Sequence, residues 1–91
     1  MTVLEKKVTI TNKLGLHARA ASKLAQLCSE FDAEVTIELE DNQADASSIM
    51  ALMLLAGGQG KEVTVKTHGS QAQEALQSIC QLITDKFDES E

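Results

Sequence analysis

The spacing of apolar residues along this 91-residue chain changes repeatedly between two periods. Residues 2–11, 35–39 and 63–66 alternate apolar and polar side chains, which predicts strands with one buried face. Residues 17–30 and 69–87 instead repeat apolar side chains every three or four positions, which predicts two amphipathic helices. This pattern limits the chain to folds in which helices cover a sheet.

Two shorter segments complete the predicted order of elements. Asp41-Asn42 has the composition of a turn, and a short strand is predicted at Gln43–Ala46. Residues 47–55 have a length that suits either a strand or a two-turn helix. We favour a helix, because Met, Ala and Leu dominate the segment and Ser47 or Ser48 can cap it.

The predicted order of elements is therefore β-α-β-β-α-β-α. The last helix carries its own start signal, because Ser70 and Gln73 match a capping box. Alternating strands imply a sheet with one face in water and one face covered by helices. We predict an α+β fold, an open-faced β-sandwich in which a four-stranded antiparallel sheet carries three helices on one face. A single domain over residues 1–91 is expected from the length.

Composition excludes several classes of function. The net charge is −6 and the only aromatic residues are Phe31 and Phe87, so the chain offers neither the basic groove nor the stacking platforms that nucleic acid requires. The longest strongly apolar stretch, Ile49–Ala56, is too short to insert into a membrane. With no secretory signal before the first strand, we expect a cytoplasmic protein with reduced thiols. Cys28 and Cys80 each fall on the apolar face of a predicted helix, so we expect both to be buried packing residues.

The charge is distributed unevenly along the chain. Residues 1–23 hold five cations and one acid, a net charge of +4, whereas the rest of the chain carries −10. No lysine or arginine lies between residues 24 and 60. Ordinary solvated surface would account for this cationic segment, and so would a site for an anion or an acidic partner.

The most informative chemistry lies where the first helix is predicted to begin. His17 falls at this helix N-terminus, where unpaired backbone N–H groups and the positive end of the helix dipole favour anions. Gly15 allows conformations of the preceding loop that other residues avoid, and the guanidinium of Arg19 can meet an oxyanion. The same dipole disfavours a charged imidazole, so we expect a neutral ring that can act as a nucleophile towards phosphorus. A cap or surface role for His17 is the alternative.

Two separated motifs carry a resemblance to a known family. Gly15-Leu16-His17-Ala18-Arg19 resembles the active-site signature of the HPr-type phosphocarriers of the bacterial phosphotransferase system. Ser48–Met53 resembles that family's second signature, on a short middle helix, and the order of elements also matches over nearly the whole chain. Phe31–Val35 and Ser48–Leu54 are most similar to carriers of the nitrogen-linked branch, with the sugar-uptake carrier as the alternative.

The resemblance implies a carrier rather than an enzyme, with no cofactor of its own. His17 would accept a phosphoryl group on Nδ1 from an enzyme I-type donor, which derives it from phosphoenolpyruvate, and would pass it to enzyme IIA-type acceptors. Arg19 would steady the phosphoryl oxygens, and the amides of Ala18 and Arg19 would complete the cradle. A monomer suits such a shuttling carrier.

The resemblance also implies a partner-docking surface beside the histidine. Adaptable methionine side chains suit a surface that must bind a donor and several acceptors. The implied members of this surface are Ala20, Ile49, Met50, Met53 and Leu54. Ala20 stands where the family commonly has proline, and because alanine is a good helix former we expect the first helix to survive.

Other polar residues have simpler interpretations. Ser48 aligns with the serine that a dedicated kinase phosphorylates in some relatives, which would add a serine kinase to the partners, but it also suits a helix cap. His68 matches no family site and is expected in an exposed turn. Neither Cys28 and Cys80 nor His17 and His68 form a closely spaced ligand pair, so no metal site is predicted.

Two rivals belong to other classes of function. One is a non-catalytic regulatory module, in which the cationic segment only binds acidic proteins. The other is a small-molecule-binding regulatory domain, which would need a pocket, and the sequence carries no sign of one. Acid-labile phosphoryl labelling of His17 separates a carrier from the binding module.

Overall fold

The predicted fold class is confirmed by a computed structural model, which describes residues 3–55 and 57–89. Its sheet has four antiparallel strands, and three α-helices and one 3-10 helix connect or follow them. The elements are β1 (Leu4–Thr9), α1 (Ala18–Cys28), β2 (Glu34–Leu39), β3 (Asn42–Asp45), α2 (Ile49–Leu54), β4 (Glu62–His68), α3 (Ala72–Thr84) and the 3-10 helix Lys86–Asp88.

The sheet has the strand order β1-β4-β2-β3, so β4 is one of its two inner strands although it comes last among the four in sequence. The register aligns apolar positions across strands. Ile37 lies opposite Ala44 on one side and Val65 on the other, and Val8 of β1 lies opposite Val63 of β4. This alignment places the buried residues of neighbouring strands on one face of the sheet.

The helices bury their apolar stripes in a common core with that face. Leu24 of α1, Leu52 of α2 and Ile79 of α3 are all fully buried. Each fully buried side chain of this size stabilises a fold by about 1.5–3 kcal/mol relative to an exposed one. The expectation that α1 survives with alanine at position 20 is also confirmed, because the helix begins at Ala18 and continues through Ala20.

The capping box predicted for α3 is wrong. The residue that precedes this helix is Gln71, and its side chain makes no capping hydrogen bond. The hydroxyl of Ser70 instead donates to the side chain of Asp32, and the N–H of Gln71 donates to the Asp32 carbonyl. Because Asp32, in the loop between α1 and β2, engages the Ser70 hydroxyl, this hydroxyl does not cap the helix. As a result, α3 starts later than the sequence pattern indicates.

The end of α3 also differs from the prediction. The apolar stripe was expected to continue in one helix to Phe87, but α3 ends at Thr84. Lys86, Phe87 and Asp88 all have positive φ angles, of 60°, 54° and 63°. This left-handed turn reverses the chain and buries Phe87 completely. As a result, Glu89, the residue that follows this turn, lies next to the start of α1.

Two smaller differences concern the loops. The turn between β2 and β3 lies at Glu40–Asp41, one residue earlier than predicted, with Glu40 at a φ of 56°. His68 is the last residue of β4 rather than a turn residue. It pairs with Glu34 of β2, and its Nε2 lies 2.7 Å from the carboxylate.

Both cysteines are buried and unpaired, which confirms that they are packing residues. Burial, with a smaller contribution from the charge of Asp45, raises the pKa of the Cys28 thiol to about 12. Burial also raises the pKa of Cys80, although Lys6 acts in the opposite direction. Within residues 3–55 and 57–89, no helix has the length and apolar character that are needed to cross a membrane.

Candidate functional site

His17 lies at the N-terminus of α1, as the sequence predicts. It is the N-cap residue, with an extended backbone (φ −81°, ψ −179°), and its side chain makes no capping bond to the helix. Its carbonyl accepts the N–H of Ala21 at 2.8 Å, whereas the amides of Ala18 and Arg19 lie in the first turn, where α-helical geometry supplies no partner within the helix. No acidic residue occupies this turn. The helix start therefore retains its preference for an anion.

The loop before His17 is held in place by close backbone contacts. Gly15 has a φ of 63°, and the N–H of Leu16 donates to the Gly57 carbonyl at 2.8 Å. Asn12 is fully buried, and its Nδ2 donates to the Gly15 carbonyl at 2.9 Å. These contacts fix where the loop enters α1 and hence where the imidazole lies.

The C-terminal segment supplies a carboxylate to the histidine. Oε2 of Glu89 contacts Nε2 of His17, and Oε1 of Glu89 accepts the second hydrogen bond of Asn12 Nδ2 at 3.0 Å. Lys23 of α1 holds the same segment, because its Nζ donates to the Phe87 carbonyl at 2.8 Å. Since a carboxylate at neutral pH only accepts hydrogen bonds, Nε2 is assigned the ring hydrogen and Nδ1 is left with its lone pair.

Glu89 is ionised in this environment. Partial burial opposes ionisation, but the hydrogen bonds from Asn12 and His17, together with electrostatic attraction to these cationic surroundings, including Arg19, outweigh it and hold the pKa of the Glu89 carboxyl below its usual range. A lowered pKa means that the contact is fully present above the unfolded-state pKa and is lost as the pH falls through the folded-state value. The carboxylate is therefore in place at neutral pH.

A surface cavity of about 890 Å³ opens beside the imidazole. No pocket was expected from the sequence. The cavity brings cationic side chains together with the two acids of the C-terminal segment, and the cationic side chains favour an anionic group beside the imidazole. The residues that line it are Lys13, Leu14, His17, Ala18, Arg19, Lys23, Asp88 and Glu89.

Ala20 was expected on the docking surface, but the structure shows that it cannot contribute to that surface. Its side chain is fully buried, because at this point in α1 it points into the core. The four α2 residues expected there are exposed, and Leu14 is a further exposed apolar residue at the edge of the cavity. The exposed fractions are 41% for Ile49, 72% for Met50, 45% for Met53, 79% for Leu54 and 67% for Leu14.

The remaining candidates lie apart from this cavity. Ser48 is the N-cap of α2, where its hydroxyl accepts the N–H of Ala51 at 3.2 Å, so the capping interpretation is confirmed. His68 does not line the cavity and pairs with Glu34 across the sheet. Among the residues that the structure describes, no three His, Cys, Asp or Glu side chains are grouped closely enough to hold a metal ion.

Asn12 and Glu89 contribute to the site although sequence reasoning did not select them, and Lys23 was noted only as one cation of the segment 1–23. Asn12 resembles an ordinary loop residue, and Glu89 belongs to a tail whose acids look solvent-exposed. Glu89 meets His17 across 72 positions of sequence, and no local pattern reports a contact of that range. The one available signal is that Phe87, a large apolar residue inside the acidic tail, must be buried somewhere.

Comparison with known proteins identifies the class to which this fold and site belong. A family model described as "PTS HPr component phosphorylation site" matches residues 4–85. The chain belongs to the HPr family of phosphotransferase-system phosphocarrier proteins.

Within this family, the chain is 54% identical over 90 residues to the phosphocarrier protein NPr of Shewanella violacea, with 99% of each chain covered. It is 46% identical to the phosphocarrier protein HPr of Cupriavidus necator, over 98% of this chain and all of the relative. Among solved structures, it superposes on HPr from Thermoanaerobacter tengcongensis with a TM-score of 0.91 and 35% identity, covering 97% of this chain and 99% of that one.

Proposed function

We propose that this protein is a cytoplasmic, monomeric carrier in which His17 is the phosphoryl acceptor of a nitrogen-linked phosphotransferase branch. An enzyme I-type protein is the donor, and enzyme IIA-type proteins are the acceptors. The observation that carries the proposal is the position of His17: its ring stands at the N-terminus of α1 and opens onto a cavity lined by Lys13, Arg19 and Lys23. The 54% identity to the NPr of Shewanella violacea supports the nitrogen-linked branch.

The transfer follows from the hydrogen bonding of the ring. With the hydrogen on Nε2, the lone pair of Nδ1 attacks phosphorus, the P–N bond forms, and the bond from phosphorus to the donor atom breaks with its electron pair remaining on the donor. The phosphoryl oxygens then lie where the amides of Ala18 and Arg19 and the guanidinium of Arg19 favour negative charge. The reverse step delivers the group to an acceptor and restores the same imidazole.

Labelling of His17 is the direct test. Incubation with phosphoenolpyruvate and the enzyme I-type protein of the same genome is expected to add one acid-labile phosphoryl group per chain, and His17→Ala is expected to take up none. His68→Ala is the matched control, because it removes the other histidine of the chain, which lies outside the cavity, and it should be labelled like the native protein. Labelling of His17→Ala to the native extent would refute the assignment.

The same assay distinguishes the alternatives. Nitrogen-type and sugar-type donors are compared at equal concentration, and faster labelling by the nitrogen-type donor is the expected result. Faster labelling by the sugar-type donor would assign the chain to sugar uptake instead. A binding module that only recruits acidic proteins would accept no phosphoryl group from either donor.

The exposed apolar residues of α2 support a docking role beside the site. Ile49, Met50, Met53 and Leu54 project from a helix that packs against α1, whose first residue follows His17. Soluble monomers rarely leave such adjacent apolar side chains exposed without a partner. A kinase acting on Ser48 would add negative charge next to this surface, so modification there is proposed as a means of weakening docking.

Met50→Glu is expected to lower the affinity for the donor about tenfold or more, because it places a charge in an apolar contact. The fold should be retained, since Met50 is 72% exposed and exposed substitutions usually change stability by less than about 0.5 kcal/mol. Binding is measured by titration calorimetry, and Val3→Glu is the control because Val3 is also an exposed apolar residue but lies next to β1, outside the α2 surface. Equal affinities of the two variants would exclude Met50 from the interface.

A further inference from the structure

The contact between Glu89 and His17 suggests a role that belongs to this chain's own C-terminal segment. We infer that Glu89 is a positioning residue for phosphoryl transfer, which fixes the ring hydrogen on Nε2 and balances the positive charge that the imidazole acquires when Nδ1 bonds phosphorus. This inference rests on the proposed function of His17 as the acceptor. It assigns the protonation state of the ring to a carboxylate 72 residues away in sequence.

The first step of the argument is that the orientation of Asn12 is fixed. Its Nδ2 donates to the carbonyl of Gly15, and a backbone carbonyl can only accept a hydrogen bond. The amide therefore cannot be turned over without placing oxygen against oxygen. The second hydrogen of Nδ2 must then point at Oε1 of Glu89, at 3.0 Å.

The second step is that this arrangement fixes the carboxylate. One oxygen of Glu89 is engaged by Asn12, and the other faces Nε2 of His17. The side chain of Glu89 is only 12% exposed, so water does not readily replace either partner. The segment that carries it is held at Phe87, which is fully buried and whose carbonyl accepts a hydrogen bond from Lys23.

The third step concerns charge during the transfer. A neutral ring that keeps its hydrogen on Nε2 becomes positively charged when Nδ1 forms a bond to phosphorus. The positive end of the α1 dipole opposes that charge, whereas an adjacent carboxylate favours it. The proton need not leave Nε2 in either direction of transfer, so Glu89 helps both acceptance and release. Arg19 and Lys23, which share the cavity, offset the repulsion between this carboxylate and an incoming phosphoryl group.

Glu89→Gln tests the inference because Asn12 dictates how glutamine must sit. The glutamine oxygen has to accept from Asn12, so its NH₂ group has to face Nε2 of His17. Nε2 then becomes the acceptor, and the ring hydrogen moves to Nδ1, where it blocks the nucleophile. We expect ¹⁵N NMR of His17 to show hydrogen on Nε2 in the native protein and on Nδ1 in Glu89→Gln.

We expect Glu89→Gln to slow phosphoryl transfer while leaving binding of the donor nearly unchanged. At saturating donor, the rate of phosphoryl uptake should fall about tenfold to a hundredfold in Glu89→Gln, while the donor KM changes by less than about threefold. Glu89→Asp keeps a carboxylate, which can only accept hydrogen bonds. This variant should therefore keep the ring hydrogen of His17 on Nε2 and should take up the phosphoryl group faster than Glu89→Gln. Glu34→Gln is the matched control, because it alters the other histidine–glutamate contact among the described residues, at His68, and should change nothing at His17.

The outcomes separate this inference from the proposed function. Native protein that takes up no phosphoryl group would refute the carrier function itself. Native protein that is labelled on His17, together with a Glu89→Gln variant that keeps both the native rate and hydrogen on Nε2, would refute only the role of Glu89. A rate loss shared equally by Glu34→Gln would also refute it, because the effect would then not depend on contact with His17. Thermal unfolding of each variant verifies that the fold is retained.

Discussion

Replacing Gly15 with alanine is expected to lower the free energy of unfolding by roughly 2–4 kcal/mol, through backbone strain and loss of a hydrogen bond. A Cβ at this position would lie 2.3 Å from the Gly57 carbonyl oxygen and 2.8 Å from the Gly58 Cα, and both neighbours are backbone atoms that cannot rotate away. The φ of 63° adds strain, because side chains other than glycine disfavour this region. Moving the loop aside would also break the hydrogen bond from Leu16 to Gly57.

Urea denaturation measures this loss, and the chain offers a close control. Gly58 lies in the neighbouring loop, has no positive φ, and would place its Cβ in open space. Gly58→Ala should therefore leave the free energy of unfolding unchanged or raise it by up to about 1 kcal/mol, since alanine reduces the entropy of the unfolded chain. If the two variants unfold at the same urea concentration, the close approach of the two loops is not as described.

Gly15→Ala should also slow phosphoryl transfer at His17 in those molecules that remain folded. Gly15 accepts a hydrogen bond from Asn12 and precedes His17 by two residues, so a displaced loop moves both the ring and the group that orients Glu89. Phosphoryl uptake by folded Gly15→Ala is thus expected to fall at least tenfold, because small displacements of reacting groups are costly. Uptake at the native rate would show that the geometry of this loop does not control the chemistry.

The predictable part of the fold is the part that local periodicity determines. The strand at Val35–Leu39 alternates in sequence and alternates in burial, and the stripe of the first helix is the face that it buries. The helical interpretation of residues 47–55 is also confirmed, with Ser48 as the cap. His17 was placed correctly because a helix start depends on residues that are close to it in sequence.

What could not be predicted depends on contacts between distant segments. Lys86, Phe87 and Asp88 adopt left-handed φ angles without any glycine to mark a turn, so no local preference announces the reversal. Burial of Phe87 in the core overrides the backbone preference. Two other features also depend on distant contacts. The hydroxyl of Ser70 donates to Asp32 and does not cap its own helix, and the burial of Ala20 depends on how α1 packs in the core.

Phe87→Ala is expected to lower the free energy of unfolding by about 3–5 kcal/mol, since it removes a fully buried aromatic side chain and leaves a cavity. That is a large share of the 5–15 kcal/mol that stabilises a typical domain. The effect should extend beyond the core, because burial of this ring is what compensates for the strained left-handed turn. Without it we expect the segment to detach and Glu89 to leave His17, which ¹⁵N NMR of the imidazole reports directly.

Phe31→Ala is the matched control for that experiment. It makes the same chemical change at the other phenylalanine of the chain, which is half-buried, so the expected loss of stability is only about 1–2 kcal/mol. It should also leave the His17 resonances unchanged, since Phe31 lies in the loop before β2 and does not line the cavity. Equal losses of stability in the two variants would contradict the larger contribution assigned to Phe87. An unaltered imidazole spectrum in folded Phe87→Ala would mean that Lys23 and Asn12 hold the C-terminal segment at the site without the buried ring.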